Sequence, residues 1–214
     1  MLPTPIYKNQ KIFVGTIIVI RDITKQKKLE EQLKHLAYFD GLTNIYNRSY
    51  FLDKSSEQLK NAIQTKAPLS FILFDIDYFK KINDHYGHLI GDAAIRHVVS
   101  ICKKELEHES IFGRYGGEEF VLCLPGKSIS DAAKIAEKIR AAIELTPLNT
   151  NQELIFVTAS FGVSDLNPYA KTLEVLLHES DQALYASKES GRNAVHLAFN
   201  GSYVGFDPMV TINK

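Results

Sequence analysis

The chain has 214 residues, 45% of them hydrophobic, and its 25 basic and 25 acidic side chains give a formal net charge of zero. This length allows one globular domain with an attachment, and the balanced charge excludes the broad basic surface of a protein that binds duplex nucleic acid or anionic membranes. No apolar run reaches transmembrane length. Cys102 and Cys123 lack a metal-ligand spacing, which predicts buried free thiols. We expect a cytoplasmic chain, and a membrane anchor elsewhere in the parent protein stays open.

The first predicted element is a single strand over residues 11–20, rich in valine and isoleucine. Because one unpaired strand cannot form a domain, residues 1–24 are predicted to be the end of another domain. A charged helix is predicted next, over residues 25–39. Three leucines recur along it at helical spacing: Leu29, Leu33 and Leu36. We interpret this helix as a linker between domains.

Helices and strands alternate in the prediction for the remaining chain. The predicted helices cover residues 49–62, 78–84, 93–106, 130–145 and 173–187. The predicted strands cover residues 69–74, both sides of the Gly116-Gly117 turn, 154–163 and 193–197. This mixture, with one hairpin, predicts an α/β sheet with helices packed on it. The tail from residue 199 is predicted to be irregular because it is rich in glycine, proline and polar residues.

A second feature of the sequence is the Asp75-Ile76-Asp77 segment, which follows a buried strand where open α/β sheets bind ligands. Asp77 could alternatively cap the next helix. An EF-hand is excluded, because Phe79 and Lys80 stand where its loop needs an oxygen ligand and a glycine. A phosphatase-type aspartyl nucleophile is a rival that Phe79 disfavours, since it occupies the expected threonine position.

The predicted hairpin turn carries two carboxylates at its tip. Gly116 and Gly117 keep the turn clear of side chains that would obstruct a ligand, and Glu118 and Glu119 follow them. A two-residue Gly-Gly turn fits this pattern. If this hairpin pairs with the strand that ends at Asp75, three or four carboxylates converge, and such a cluster requires a cation or a shifted pKa.

Two helix ends offer groups that could bind phosphate. The helix that opens with Tyr78-Phe79-Lys80 has free N–H groups, and Lys80 adds a charge there or is simply solvated. Lys188 and Arg192 lie near the end of the last predicted helix. They either interact with the helix dipole or reach a terminal phosphate.

Two polar residues could read a nucleobase. Asn83 offers both a donor and an acceptor. Asp92 could cap the helix predicted from residue 93. Alternatively, its carboxylate could accept the two hydrogen bonds that the N1–H and N2–H edge of guanine donates, a contact that adenine cannot make. Gly87-His88 and Gly91 lie between these two residues.

Taken together, these motifs resemble those of GGDEF-domain diguanylate cyclases. The signature is Arg114-Tyr115-Gly116-Gly117-Glu118-Glu119-Phe120. Further family motifs occur in the same order: Asp40-Gly41-Leu42-Thr43, Asp75 to Asp84, Gly87-His88 with Gly91-Asp92, and Asp181 to Tyr185 with Lys188 and Gly191-Arg192-Asn193. Residues 15–24 resemble, over a shorter span, the end of a PAS sensor domain. The predicted division is a PAS-like remnant (1–24), a helical linker (25–39), a cyclase domain (40–198) and a tail (199–214).

The resemblance implies a five-stranded sheet flanked by helices, similar to the palm of class III nucleotide cyclases and polymerases. It implies that two GTP molecules condense into cyclic di-GMP and two pyrophosphates in a two-fold homodimer, with Mg²⁺ or alternatively Mn²⁺. An upstream sensor domain is the other implied partner, without nucleic acid or direct membrane contact. A catalytically silent GGDEF module that binds GTP or a partner is the alternative. A different cyclic dinucleotide is a further possible product, against which Asp92 argues.

The resemblance also assigns roles to individual residues. The implied metal ligands are Asp75, the Ile76 carbonyl group, Glu118 and Glu119, and Glu119 is alternatively the general base. The implied phosphate contacts are Lys80, Lys188, Arg192 and the amides of Tyr78 and Phe79. The remaining implied substrate contacts are Asn83, Asp92, His88, Gly116 and Gly117.

One position departs from the family pattern. Many members carry an Arg-x-x-Asp product-binding site before the two glycines, and this chain has Glu107 and Ser110 there. Both the guanidinium group and the carboxylate that would bind the product are therefore missing. We expect no product inhibition through this position.

Overall fold

The computed structural model describes residues 4–8, 12–17, 21–150, 153–199 and 201–208, with side chains from residue 21 onward. The chain divides into two compact units, Met1–Ala37 and Tyr38–Lys214. Within the described stretches, no helix combines the length and apolar character needed to cross a membrane.

The first unit contains a β-hairpin and most of a helix. Strands β1 (Thr4–Lys8) and β2 (Ile12–Ile17) pair in antiparallel orientation. The predicted strand therefore has a partner, and the expectation of a lone strand is wrong. Its predicted ends, residue 11 and residues 18–20, lie outside the described part. A PAS-like origin of this unit stays a prediction.

Helix α1 (Thr24–Tyr38) confirms the helix predicted over residues 25–39, whereas its role as a linker stays a prediction. Asp22 lies just before it, and its carboxylate accepts a hydrogen bond from the Thr24 N–H group at 2.8 Å. The three leucines of this helix are each more than half exposed: Leu29, Leu33 and Leu36. They form an apolar stripe on an otherwise charged helix.

The second unit is a sheet with helices on both faces. Its strands are β3 (Leu69–Ile76), β4 (Ile111–Arg114), β5 (Glu119–Pro125), β6 (Leu148–Asn149), β7 (Leu154–Ile155), β8 (Ala159–Asp165), β9 (Val195–Phe199) and β10 (Ser202–Gly205). Its helices are α2 (Arg48–Thr65), α3 (Phe79–Tyr86), α4 (His88–Glu105), α5 (Ile129–Leu145) and α6 (Leu173–Glu189). The main sheet has the order β10-β9-β8-β3-β5-β4, and β6 and β7 form a separate small pair.

Strand β3 lies at the centre because its apolar residues are buried on both faces. Side chains alternate across a strand, so Ile72 and Phe74 enter the core cluster that includes α4 and α5. Phe71 and Leu73 enter the other cluster, which includes α2 and α6. Strand β3 is antiparallel to β5 and β8, and β8 is parallel to β9. This arrangement confirms the predicted α/β sheet flanked by helices.

The described sheet has six strands instead of the five expected. The additional strand is β10, which pairs with β9 in the segment predicted to be irregular. The strand predicted over residues 154–163 is interrupted, since residues 156–158 separate β7 from β8. Helix α4 begins at His88, five residues before its predicted start. Cys102 and Cys123 are buried and free, as predicted.

Candidate functional site

The pairing of β3 with β5 brings the predicted metal ligands together. Asp75 is the Cα partner of Glu119 in the antiparallel register. One residue further on, the Ile76 N–H group donates to the Glu118 carbonyl oxygen at 3.3 Å. Asp75, Ile76, Glu118 and Glu119 therefore lie at the same end of the sheet, which is the arrangement that the sequence predicted for neighbouring strands.

Asp75 carries the electrostatic strain of this site. The pKa of Asp75 is raised to about 6, chiefly by burial and also by the nearby charges of Glu118 and Glu119, whereas Lys188 acts to lower it. The Lys188 ammonium group lies 3.1 Å from Asp75 Oδ2. One lysine thus offsets only part of the negative charge, and the hard oxygen donors suit a divalent cation such as Mg²⁺.

These carboxylates do not by themselves form a complete metal cage. In the part of the chain with described side chains, no group of three His, Cys, Asp or Glu residues is placed to hold a metal ion. Mg²⁺ commonly has few carboxylate ligands and completes its shell with water and substrate phosphates. The Ile76 carbonyl group and bound phosphates are the oxygen donors that would complete this set.

Asp77 has a structural role that the sequence did not predict. Its side chain is 4% exposed and accepts hydrogen bonds from Thr158 Oγ1 at 2.8 Å, Ser160 Oγ at 2.7 Å and the Asn193 N–H group at 3.0 Å. The N-cap of α3 is Tyr78, without a side-chain capping bond. The interpretation of Asp77 as a helix cap is therefore wrong, because the carboxylate joins β3 to β8 and to the turn before β9.

The turn that carries the signature has four residues, 115–118, so the prediction of a two-residue Gly-Gly turn is wrong. The two glycines of this turn are required more for the space they leave than for their backbone conformation. A Cβ atom on Gly116 would lie 2.5 Å from Glu119 Oε2, whereas one on Gly117 would meet nothing within 4 Å. Gly116 thus permits the position of the Glu119 carboxylate, and Gly117 leaves open space for a ligand.

Arg114 fixes this turn to a distant segment, a role that no sequence motif predicted. It donates to the Gly117 carbonyl oxygen from Nη2 at 2.6 Å and from Nε at 3.0 Å. Its Nη1 donates to both carboxylate oxygens of Asp40, at 3.0 and 3.2 Å. Both residues belong to recognised motifs, but nothing local in the sequence indicates that they pair.

Asp40 is held in its ionised form by its partners. Burial acts to raise its pKa, but hydrogen bonds from Thr43 and Arg114, together with the Arg114 charge, hold the pKa below its usual value. Asp40 Oδ1 accepts a hydrogen bond from the Thr43 hydroxyl group at 2.6 Å and another from the Thr43 N–H group at 3.0 Å. The ion pair of Arg114 and Asp40 therefore links the opening turn of the domain to the signature turn.

The predicted guanine-reading residues lie on two adjacent helices. A Cβ atom on Gly91 of α4 would overlap the amide oxygen of Asn83 on α3, so glycine is required for this close approach. Asp92 follows Gly91 inside α4, whose N-cap is Gly87. The interpretation of Asp92 as a helix cap is therefore wrong, and Asp92 lies half-buried in the first turns of α4. His88 is exposed at the first position of the same helix.

The predicted phosphate contacts surround the end of β3. Lys80 is exposed, and the Phe79 side chain is buried, which leaves only its backbone for a ligand. The Arg192 guanidinium group stacks 4.5 Å from the centre of the Tyr78 ring. Arg192 thus reaches the start of α3, although 114 positions separate it from Tyr78 in the sequence. Lys188 lies on the other side, at Asp75.

Sequence comparison identifies a family for this chain. The family described as "Diguanylate cyclase, GGDEF domain" matches residues 37–194. Response regulator PleD of Caulobacter vibrioides is 40% identical over 172 residues, which cover 78% of this chain and 38% of PleD. Diguanylate cyclase A of Treponema denticola is 37% identical over 172 residues, 79% of this chain and 46% of that protein. The chain therefore spans less than half the length of these curated relatives.

Solved structures share the fold. The coiled coil and GGDEF domain of DgcB from Caulobacter crescentus, in complex with c-di-GMP, has a TM-score of 0.77 and 31% identity, covering 82% of this chain and 93% of that one. The active GGEEF domain of a diguanylate cyclase from Vibrio cholerae has a TM-score of 0.68 and 31% identity, covering 72% and 97%. The predicted similarity to this fold is confirmed.

Replacing Asp75 by asparagine is expected to stabilise the metal-free fold above neutral pH. The folded pKa is raised from 3.8 to about 6, so ionisation of Asp75 reduces stability as the pH rises through this interval. Two pKa units correspond to about 2–3 kcal/mol. Urea unfolding with a chelator should show a more stable variant at about pH 8, with a difference that shrinks toward about pH 4.

Asp53→Asn on the exposed surface of α2 is the control and should change little at either pH. A stability difference for Asp75→Asn that does not vary with pH would contradict the assigned cause.

Replacing Asp40 by asparagine is expected to destabilise the domain by about 1–3 kcal/mol near neutral pH, because a half-buried carboxylate with charged partners is lost. The folded pKa is lowered, so the contribution of Asp40 is present above its ordinary pKa of 3.8 and disappears as the pH falls through the folded value. Urea unfolding measures both effects. The control is Glu57→Gln, which breaks the more exposed pair with Lys54 and should cause a much smaller loss of stability; equal losses would refute the linking role.

Proposed function

The chain belongs to the GGDEF family of diguanylate cyclases, and on this premise we propose that it condenses two GTP molecules into cyclic di-GMP and two pyrophosphates. The observation that carries the proposal is the group of carboxylates from Asp75, Glu118 and Glu119 beside the signature turn. The Lys188 ammonium group lies against this group of carboxylates. Because the curated relatives are more than twice as long as the segment they share with this chain, the activity is proposed for these 214 residues alone.

Each residue has a proposed part in binding one GTP molecule. The carboxylates of Asp75, Glu118 and Glu119 and the Ile76 carbonyl group provide the oxygen ligands for Mg²⁺. When bound, Mg²⁺ supplies positive charge that acidifies the attacking hydroxyl group and stabilises the leaving pyrophosphate. Mn²⁺ has the same preference for oxygen donors.

The base and the phosphates have separate proposed contacts. Asn83 and Asp92 read guanine, with His88 at the rim of the same helix. The phosphates are held by Lys80, Lys188, Arg192 and the backbone amides of Tyr78 and Phe79. Gly117 leaves room for the phosphates beside the turn, and Gly116 leaves the room that the Glu119 carboxylate occupies. The closeness of Asn83 to Gly91, directly before Asp92, supports the guanine assignment.

The reaction consists of two equivalent nucleotidyl transfers. In each, the 3′ oxygen of one GTP attacks the α-phosphorus of the other. A new P–O bond forms, the bond from the α-phosphorus to the bridging oxygen breaks, and pyrophosphate leaves with the electron pair. The proton of the 3′-hydroxyl group passes to a base. Glu119 has two candidate roles, as this base or as a metal ligand.

We further propose that two copies of the chain face each other during catalysis. One site holds one GTP molecule, whereas the product joins two, so a two-fold pair completes the reaction. The exposed leucine stripe of α1 supports this pairing. The related DgcB structure comprises a coiled coil and a GGDEF domain. An upstream sensor domain would then act by changing the geometry of the pair.

The decisive experiment is incubation of the chain with GTP and Mg²⁺, followed by mass spectrometry of the products. We expect cyclic di-GMP and pyrophosphate. Glu119→Gln should lower turnover at least about 100-fold without changing the unfolding transition by more than a small amount. Glu109→Gln, at an exposed position, is the matched control. Binding of GTP without any product from the unmodified chain would instead favour the silent module.

A second prediction concerns product inhibition. Glu107 pairs with Lys127 at 2.9 Å on the surface, at the position of the family's product-binding arginine. Added cyclic di-GMP should therefore leave initial rates unchanged at low micromolar concentration. The double variant Glu107→Arg/Ser110→Asp supplies the missing guanidinium and carboxylate groups and should gain inhibition. Submicromolar binding of cyclic di-GMP to the unmodified chain, lost in Glu107→Ala, would refute this expectation.

A further inference from the structure

The turn between α6 and β9 has an unusual backbone conformation. Three consecutive residues have positive φ: Gly191 at 112°, Arg192 at 69° and Asn193 at 45°. Glycine adopts such values readily, whereas residues with a Cβ atom do so at a cost. Strained backbone persists only where the surrounding structure holds it, and it is concentrated at functional sites. The contacts that hold this turn therefore bear on Arg192.

The backbone of the turn is fixed at two points. The Arg192 N–H group donates to the Ser187 carbonyl oxygen at 3.0 Å, which closes the end of α6. The Asn193 N–H group donates to Asp77 Oδ2 at 3.0 Å. Since Asp77 lies directly after β3, the turn is joined to the strand that carries Asp75.

The Asn193 side chain is fixed by α5. Its amide oxygen accepts a hydrogen bond from Arg140 Nη1 at 2.7 Å, and its amide nitrogen donates to Glu144 Oε1 at 2.8 Å. Arg140 Nη1 also donates to Glu144 Oε2 at 2.7 Å. The three side chains thus form a closed network in which both polar atoms of the amide are satisfied.

Arg140 is itself held in one geometry. Its side chain is 14% exposed, and it donates to Glu137 from Nε at 2.9 Å and from Nη2 at 2.8 Å. These hydrogen bonds with Glu137, together with those to Glu144, keep its pKa above the usual value. A planar guanidinium group can serve three partners at once, and the point charge of a lysine cannot reproduce that fork.

We propose that Arg140 is a positioning residue for terminal-phosphate binding: through Asn193 it holds the 191–193 turn in the conformation that places Arg192 against Tyr78. Arg140 does not touch the substrate. Its effect reaches the β- and γ-phosphates through the turn. The hydrogen bonds of Arg140 go to Glu137, Glu144 and Asn193, so we expect the guanine contacts on α3 and α4 to be independent of it. This inference rests on the proposed function, specifically on the assignment of Arg192 to the phosphates.

The independence of the two binding regions gives a selective test. Calorimetry in Mg²⁺ compares GMP, which lacks the terminal phosphates, with the α,β-methylene analogue of GTP, which cannot release pyrophosphate. Arg140→Gln should weaken binding of the analogue about tenfold, the loss of roughly one charged contact. That tenfold loss corresponds to about 1.4 kcal/mol. Binding of GMP should stay within about twofold, because GMP lacks the terminal phosphates. Steady-state kinetics should show a raised KM for GTP.

Two further variants keep the test independent of general damage to the fold. Asn193→Gly removes the amide side chain and introduces a residue that also accepts positive φ. It should therefore reproduce the selective loss of affinity for the analogue. The double variant Arg140→Gln/Asn193→Gly should bind the analogue no more weakly than either single variant, because both substitutions break the same network. Arg140→Lys should recover only part of the affinity. The control is Lys138→Gln, which breaks a surface pair with Glu105 and lies on the same helix as Arg140.

The outcomes separate this inference from the proposed function. Parallel weakening of GMP and the analogue in Arg140→Gln would show a merely structural role and overturn the inference, as would unchanged binding of both. If the unmodified chain binds the analogue but makes no cyclic di-GMP, the proposed cyclase activity fails while the selective loss still tests Arg140. If it does not bind the analogue, both fail.

Discussion

Repulsion among the carboxylates at the ends of β3 and β5 is the constraint around which the site is organised. The antiparallel register places Asp75 opposite Glu119, and burial of Asp75 strengthens every charge interaction there. Lys188 compensates one charge from α6. The neighbouring Asp77 is withdrawn from this repulsion, because Thr158, Ser160 and the backbone of the next turn satisfy it. The arrangement lowers stability at the point where, under the proposed function, a cation would restore it.

Two arginines hold the loops that surround this charge. Arg114 fixes the signature turn to Asp40, and Arg140 fixes the Asn193 turn to α5. The Arg114 guanidinium group joins the Gly117 carbonyl oxygen to the Asp40 carboxylate, and that of Arg140 joins the Asn193 amide oxygen to carboxylates on α5. A single point charge could not make these contacts. The loops themselves contain glycine or positive φ and would have many conformations without these contacts. A long-range ion pair of Arg114 and a long-range hydrogen bond of Arg140 thus replace local rigidity.

Local patterns predicted the parts of this structure that depend on local chemistry. The apolar run before Asp75 predicted a buried strand, and helical spacing predicted α5 and α6 closely. The alternative cap roles of Asp77 and Asp92 rest on the frequency of aspartate before helices. Both are wrong, because Asp77 accepts tertiary hydrogen bonds and α4 begins before Asp92. Strand β10 was missed because four exposed residues lack an alternating pattern. The pairing of Arg114 with Asp40 spans 74 positions, and no periodicity reports such a contact.

Lys188 has a consequence that reaches beyond its ion pair. Its ammonium group neutralises Asp75 in the folded domain, yet its proposed partner during catalysis is a phosphate. It cannot serve both at full strength, so a cation that takes over the neutralisation of Asp75 releases Lys188 for the nucleotide. Binding of the cation and of the nucleotide are then thermodynamically coupled, and by reciprocity each raises the affinity for the other. Under the proposed function, a lysine in this position would make the cation and the nucleotide bind cooperatively within a single subunit.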